Sequence, residues 1–243
     1  MFSAPSLLLA NESVDIIAAI RQNDTLGHIC LAFLLMLSVY SFTIIFAKFT
    51  SLSRASKQTN AFRRLVDQDG SWDSLFVAAK KYPESPVARL LKETYVECRL
   101  ENWFAGPKGE IPVESRLEIA RHTIENILMK TISSEEGRLM QKVPTLSTIT
   151  TLAPFIGLIG TVWGVLSAFQ GLGRAGGASL ATLAPGISTA LVTTVFGLFC
   201  AVPALIAYNY FVAEVGKLSS SMEVFSHDLE NAVRKQILNV GGK

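Results

Sequence analysis

Residues 143–173 read VPTLSTITTLAPFIGLIGTVWGVLSAFQGLG, and residues 175–213 read AGGASLATLAPGISTALVTTVFGLFCAVPALIAYNYFVA. These runs contain 31 and 39 residues without Asp, Glu, Lys or Arg, and only Arg174 separates them. About 20 apolar residues in a helix cross the roughly 30 Å hydrocarbon core of a bilayer, so each run is long enough to span it. The glycine-rich residues 171–177 predict a turn between the runs, and the whole stretch predicts a transmembrane hairpin.

A third uncharged run, residues 29–47, predicts another span, and its flanks predict the orientation of the chain. Only Arg21 precedes this run, whereas five basic residues follow it before the first acid. Those five are Lys48, Arg54, Lys57, Arg63 and Arg64. Because basic residues accumulate on the cytoplasmic side, we expect a periplasmic amino end and a cytoplasmic carboxyl end.

These patterns predict an all-α integral membrane protein with three transmembrane helices and long cytoplasmic helical extensions. Hydrophobic residues make up 49% of the 243 and charged residues 17%, which excludes an ordinary soluble domain. The net charge of +2 is too small to favour a nucleic-acid partner. The expected segments are an amino end with an amphipathic helix or a flexible tail (1–27), a first span (28–48), a cytoplasmic helical region (49–142), a second span (143–170), a periplasmic linker (171–183), a third span (184–212) and a cytoplasmic carboxyl helix (213–243).

Two apolar stripes at helical spacing continue the last two spans into the cytoplasm. The stripes consist of Leu117, Ala120, Ile124, Leu128 and Ile132, and of Leu218, Met222, Phe225, Leu229 and Val233. Each stripe predicts one continuous helix with its span, and each needs a partner surface within the subunit or between subunits. Pro144, Pro154 and Pro203 are expected to bend these helices.

Small residues recur on one face of each span of the hairpin. The helix-packing candidates are Gly157, Gly160 and Gly164 in the second span and Gly186 and Gly197 in the third. Such faces let helices approach closely in lipid, where packing drives association. A lone hairpin would have little use for them, so they favour contacts with other subunits.

The two spans of the hairpin are rich in hydroxyl groups and contain no carboxylate, Lys or His, the side chains that carry protons across bilayers. Hydroxyls can line a wet path without ionising near neutral pH. The ion-pathway candidates are Thr150, Thr161, Ser188, Thr189, Thr193 and Thr194. Any single threonine can instead bond to its own helix, but the set predicts a pathway wall whose titrating group belongs to another chain.

Nothing in the sequence favours an enzyme or a bound cofactor. It has no nucleophile elbow, phosphate-binding glycine loop or zinc motif. Its cysteines, Cys30, Cys98 and Cys200, have no disulfide or metal spacing. We therefore expect no catalytic residue, cofactor or metal.

Residues 153–164 (APFIGLIGTVWG) and 184–194 (APGISTALVTT) resemble the two signature segments of the MotA/TolQ/ExbB proton-channel family. The resemblance is closest to the ExbB and TolQ branch. It implies a homopentamer in the bacterial inner membrane, enclosing a dimer of a single-span ExbD/TolR-like protein whose aspartate enters the pore. It also implies a TonB/TolA-like envelope protein that receives the motion.

The resemblance further implies roles for particular residues. Thr161 and Thr194 align with the pore threonines of the family, one on each pore-lining span. Many Ton and Tol members carry a glutamate where this chain has Thr189, so the resemblance implies that this subunit adds no carboxylate to the path.

The resulting prediction is a non-enzymatic proton-channel or stator subunit driven by the proton-motive force. A non-conducting scaffold that clamps partner helices is the alternative from another class. A sodium-driven variant and a gliding-motility system also stay open. The basic residues after position 47 predict contact with membrane lipid or, alternatively, a purely topogenic role.

Overall fold

The computed structural model describes residues 25–68, 72–100, 113–175 and 180–241. Throughout these ranges the regular elements are α helices. They are α1 (Thr25–Val66), α2 (Trp72–Ala79), α3 (Pro86–Leu100), α4 (Val113–Met140), α5 (Val143–Ala175) and α6 (Leu180–Gly241). Helices α1, α5 and α6 are long and apolar enough to cross a membrane, which confirms the all-helical class with three such helices. The helix expected in the amino end falls outside the described residues.

The long helices extend further than the spans that the sequence predicts. Helix α1 continues past residue 48 to Val66, and α6 runs 62 residues without interruption, as the apolar stripe after the third span predicts. Helix α5 reaches Ala175, so Gly171 and Gly173 are helical although the sequence assigns them to the linker. Glycine in a helix costs only about 1 kcal/mol relative to alanine, which does not outweigh the helical pattern of the residues before it.

The helix expected to pass unbroken into the second span is interrupted. Residues 141–142 form a turn between α4 and α5, and Lys142 has a φ of 66°. Pro144 lies in the first turn of α5, a position where its missing N–H costs no helical hydrogen bond. A proline further inside a continuous helix would clash with the carbonyl four residues earlier. The break at Lys142 therefore follows from Pro144.

Prolines also lie in the interior of the long helices. Pro154 is inside α5, and Pro185 and Pro203 are inside α6. Each removes one backbone hydrogen bond from its helix. The bends expected at Pro154 and Pro203 stay predictions.

The chain divides into two compact units. The first, which we call the span unit, comprises the described residues up to Phe42 together with those of Ser147–Leu205. The second, the bundle unit, comprises Thr43–Leu146 and the residues from Ile206 onward. Helices α1, α5 and α6 each contribute to both units.

A core of large apolar side chains holds the bundle unit together. Ala120, Ile124 and Leu128 of α4 are buried in the same cluster as Met222 and Phe225 of α6. Ile132, Leu229 and Val233 join them, as do Phe62 of α1 and Leu90 and Leu91 of α3. The two apolar stripes thus find their partner surface within the subunit, one of the two alternatives that the sequence leaves open.

A buried carboxylate adds a polar contact to this core. Glu135 on α4 is only 7% exposed and forms ion pairs with Arg89 of α3 at 3.1 Å and Arg138 of α4 at 2.9 Å. Lys48 of α1 donates hydrogen bonds to the carbonyl oxygens of Leu139 (2.9 Å) and Arg138 (3.4 Å). These carbonyls belong to the last turn of α4, where the usual N–H four residues later is missing, and that of Arg138 also accepts a hydrogen bond from the N–H of Gln141 at 3.4 Å.

Candidate functional site

Helices α5 and α6 approach so closely that backbone meets backbone. A Cβ atom placed on Gly157 would lie 3.0 Å from both the carbonyl oxygen of Thr193 and the Cα atom of Thr194. A Cβ atom on Gly197 would lie 2.7 Å from the carbonyl oxygen of Ala153. A backbone atom cannot turn away as a side chain can, so only glycine fits these two positions without a shift of the helices.

The other helix-packing candidates meet side chains across the same contact. A Cβ atom on Gly160 would overlap the methyl group of Thr193, and one on Gly164 would lie 2.6 Å from the Cβ atom of Ala190. A Cβ atom on Gly186 would lie 2.9 Å from that of Ala168.

The small faces of α5 and α6 are therefore directed at each other within one chain. A lone hairpin was expected to have little use for these faces, which is wrong, because the hairpin itself uses them. Close approach of two helices in lipid is sufficient reason for both faces.

Thr161 and Thr194 form a hydroxyl pair across this contact. Their Oγ1 atoms are hydrogen-bonded to each other. Thr161 Oγ1 also lies 3.1 Å from the carbonyl oxygen of Gly157 and 3.1 Å from that of Ala190, and Thr194 Oγ1 lies 3.3 Å from that of Gly157. We refer to these two threonines and the two carbonyls as the clasp.

The hydrogen bonds of the clasp are complete within the chain. Its two hydroxyl protons have two carbonyl oxygens, as well as each other's oxygen, as acceptors. Both threonines are only half-buried, so their remaining lone pairs can reach another group. The clasp can therefore join the helices and still accept a hydrogen bond from a proton carrier.

The carbonyls of the clasp were not predicted from the sequence. Each accepting residue stands four positions before a clasp threonine, Gly157 before Thr161 and Ala190 before Thr194. That spacing brings a hydroxyl near its own helix's carbonyl, which is the signal in the sequence. Only the close approach of the helices brings the hydroxyl of Thr161 to the carbonyl of Ala190 as well.

The other four pathway candidates have different surroundings. Thr193 is fully buried against Gly160, and its Oγ1 has no hydrogen-bond partner among the described residues. Thr189, 4% exposed, donates to the carbonyl oxygen of Pro185 at 2.7 Å, the alternative role within one helix. Ser188 is exposed and Thr150 is half-buried. The structure thus brings Thr161, Thr193 and Thr194 together near the glycines and leaves Ser188 on the surface.

The site is electrically neutral. Residues 143–173 and 175–213, which supply all its side chains, contain no Asp, Glu, Lys or Arg. In the part of the chain that the structure describes, no group of three or more His, Cys, Asp or Glu comes together to hold a metal ion. The chemistry available here is hydrogen bonding by hydroxyls and carbonyls that do not titrate near neutral pH.

Comparisons with known proteins show which family the chain resembles. Residues 88–224 match the model of the family described as the MotA/TolQ/ExbB proton channel family. The chain is 30% identical to the Tol-Pal system protein TolQ of Pseudomonas aeruginosa over 202 residues, or 82% of this chain and 84% of that protein.

Two further relatives are also TolQ or ExbB proteins. The biopolymer transport protein ExbB of Neisseria meningitidis is 28% identical over 200 residues, 81% of this chain and 86% of the relative. The TolQ protein of Haemophilus influenzae is 40% identical over 105 residues, 43% of this chain and 46% of that protein.

Proposed function

Since this chain belongs to the MotA/TolQ/ExbB proton channel family, we propose that it is the channel subunit of a proton-driven energiser of the Tol or TonB type. Helices α5 and α6 form the wall of the ion pathway in this proposal. The energy comes from the proton-motive force across the bacterial inner membrane. The energised process takes place in the cell envelope.

The observation that carries this proposal is the neutral clasp. Carboxylate, Lys and His side chains carry protons across bilayers, and residues 143–173 and 175–213 contain none of them. Thr161 and Thr194 offer oxygen lone pairs at a half-buried position on both helices. A single-span partner of the TolR or ExbD type, with an intramembrane aspartate, would supply the missing acid.

The arrangement around that partner is also part of the proposal. We place five copies of this chain around a dimer of the partner and a TolA- or TonB-like protein downstream. The flanking charges support a periplasmic amino end and a cytoplasmic bundle unit. The exposed apolar side chains of the spans, such as Phe46, Phe199 and Ile206, suit contact with lipid or with neighbouring copies.

Proton flux in liposomes tests this function. We expect no flux from the purified chain alone and flux when its partner is reconstituted with it. Replacing the partner's aspartate with asparagine should abolish the flux. Full-rate flux through the chain without a partner would contradict the division of roles.

The clasp itself favours a second candidate function, a scaffold that joins helices and conducts nothing, because its hydrogen bonds are complete within the chain. Thr161→Val and Thr194→Val separate the two functions, since valine keeps the shape and removes the hydroxyl. If the hydroxyls belong to the path, flux falls while the complex keeps its size, and the matched Thr→Ser variants retain flux. Unchanged flux in both valine variants would favour the scaffold.

A further inference from the structure

A cleft of about 670 Å³ lies in the bundle unit between α3 and α4. Lys92 and Lys130 line it from the two helices, and both are exposed without an ion pair to any described residue. Val96 and Ile127 form its apolar part, and Glu97 lies at the end beyond them. Its other cation on α3, Arg89, is already paired with Glu135. Lys80 and Glu93 also line the cleft, and neither has an ion pair to a described residue. The cleft therefore presents three ammonium groups and two carboxylates, Glu93 and Glu97, without ion pairs to described residues, which leaves a net positive charge beside an apolar surface.

The carboxyl part of α6 presents a surface of the opposite kind. Glu223 is exposed and has no ion pair within the described residues, and its neighbour Val224 is 49% exposed. His227 is exposed one turn further along the same face. Asp228, which follows His227, is exposed as well. Two acids, an apolar side chain and a histidine thus share a helix face that the core of the bundle unit does not cover.

Contacts within the bundle unit set the levels of these groups along its axis. Glu135 of α4 pairs with Arg89 of α3, and the adjacent Glu136 accepts a hydrogen bond from Ser219 of α6. Arg121 and Glu230 pair further along, so α4 runs antiparallel to α6. Arg89 and Ser219 therefore lie at about the same level.

Measured from the level of Arg89 and Ser219, charged side chains of the cleft and of the α6 face lie at similar distances along their helices. At 1.5 Å per residue, Lys92 lies about 4.5 Å along α3 and Glu223 about 6 Å along α6. On α4, Lys130 lies about 7.5 Å from Glu135 in the same direction. Glu97 and His227 both lie about 12 Å along. Two copies of the chain at equal height would bring Glu223 to the level of Lys92 and Lys130, with Glu93 at the same level, and Val224 to the apolar part of the cleft.

We propose that the α6 face of one copy docks into the α3–α4 cleft of the next copy, with Glu223 between Lys92 and Lys130. The two surfaces are different parts of one chain, so the contact is heterologous and generates a ring when its rotation closes. A ring is what a pathway wall built from several copies requires. This inference rests on the proposed function, but it concerns only the bundle unit.

Cross-linking in membranes tests this contact. The full chain is expressed with its partner protein, after Cys30, Cys98 and Cys200 are replaced by alanine. Lys92→Cys and Glu223→Cys are then introduced together and treated with a short bis-maleimide. We expect a ladder of cross-linked dimers and larger species on a denaturing gel. The matched control pairs Lys92→Cys with Asn231→Cys, which is exposed two turns further along α6, and should lose the ladder.

Charge reversal gives an independent result. Glu223→Lys should reduce the ladder formed through an unrelated reporter cysteine pair in the spans, and adding Lys92→Glu and Lys130→Glu should restore it. These side chains are exposed, so the subunit fold tolerates the changes. A cross-link that forms only within monomers, a ladder as strong with Asn231→Cys, or no rescue by the double reversal would overturn the proposed contact. Proton flux through an assembly without this cross-link would leave the proposed function standing.

Discussion

The span unit and the bundle unit reach close packing with opposite kinds of side chain. In the span unit, the side chains with no exposed area include those of Ala153, Ala190 and Ala204. In the bundle unit they include Phe62 and Leu90. Lipid is as apolar as leucine, so burying a large side chain between helices gains little there, and the helices instead come close enough for backbone contact. In water, burial of a large apolar side chain is itself the driving force.

The span unit and the bundle unit also differ in the charge of their polar contacts. The span unit joins its helices with neutral hydroxyls and carbonyls, in the clasp of Thr161 and Thr194. The bundle unit buries a charged carboxylate, Glu135, and surrounds it with two guanidinium groups. The polar contact between helices is thus neutral in the span unit and charged in the bundle unit.

The largest effect is expected from a large side chain in the helix contact of the span unit. Gly160→Leu must displace Thr193, whose methyl group a Cβ atom alone would already overlap. We expect loss of the native complex on a native gel and rapid proteolysis. Gly171→Leu is the matched control, because no atom lies within 4 Å of a Cβ atom built there. Normal assembly of Gly160→Leu would show that backbone contact does not hold the span unit.

A smaller effect should follow from neutralising the buried carboxylate of the bundle unit. Glu135→Gln removes the charged partner of Arg89 and one of the two charged partners of Arg138, which also pairs with Glu84 at 3.5 Å. Hydrogen bonds to charged groups contribute about 1.5–3 kcal/mol. The arginines are about one-third exposed, so we expect a loss near the lower end, measured by thermal unfolding in detergent. Glu214→Gln, which breaks the pair with the exposed Lys217, should change stability by less than about 1 kcal/mol. Equal effects of the two changes would contradict the role assigned to burial.

The smallest effect concerns the clasp. Thr161→Val and Thr194→Val should each lower the free energy of unfolding. The double variant should lower it by less than the sum of the two single effects. Hydrogen bonds between membrane helices average about 0.6 kcal/mol in such cycles, so we expect a coupling energy of that order. Thermal unfolding of the four proteins of the cycle measures it. Thr148 is an exposed threonine of α5, the helix of Thr161. Thr148→Val is therefore the control, and it should show no coupling to Thr194→Val. Strict additivity of the clasp variants would mean that the hydroxyl pair contributes nothing to packing.

Helix positions followed from the sequence more readily than helix ends. The apolar runs and the stripe through Met222 and Phe225 correctly predicted long helices, because periodicity over many residues is a strong signal. The glycines at 171 and 173 indicated a linker, yet α5 continues through both. Pro144 was expected to bend one continuous helix, and instead α4 ends before it and α5 begins beside it. The type of a single residue does not determine whether a helix bends, ends or continues, because contacts with neighbouring segments decide this.

The candidate site was only partly visible in the sequence. Hydroxyl content and small-residue spacing selected Thr161, Thr194 and the glycines, but not the carbonyls of Gly157 and Ala190, because every residue has a carbonyl and no sequence pattern marks one that faces another helix. Thr193 and Thr189 are threonines too, but both are buried, whereas the clasp threonines Thr161 and Thr194 are half-buried. Residue type alone therefore does not distinguish the clasp.

The sequence by itself determined that this protein has three apolar helices, a neutral hydroxylated hairpin and membership of a proton channel family, because length, charge and motif are properties of the chain read in order. Only the tertiary structure decided that the two small faces meet each other inside one subunit, that the apolar stripes of α4 and α6 share a core, and that Thr161 reaches the carbonyl of Ala190. Periodicity states which side of a helix is special, and it does not state what that side contacts.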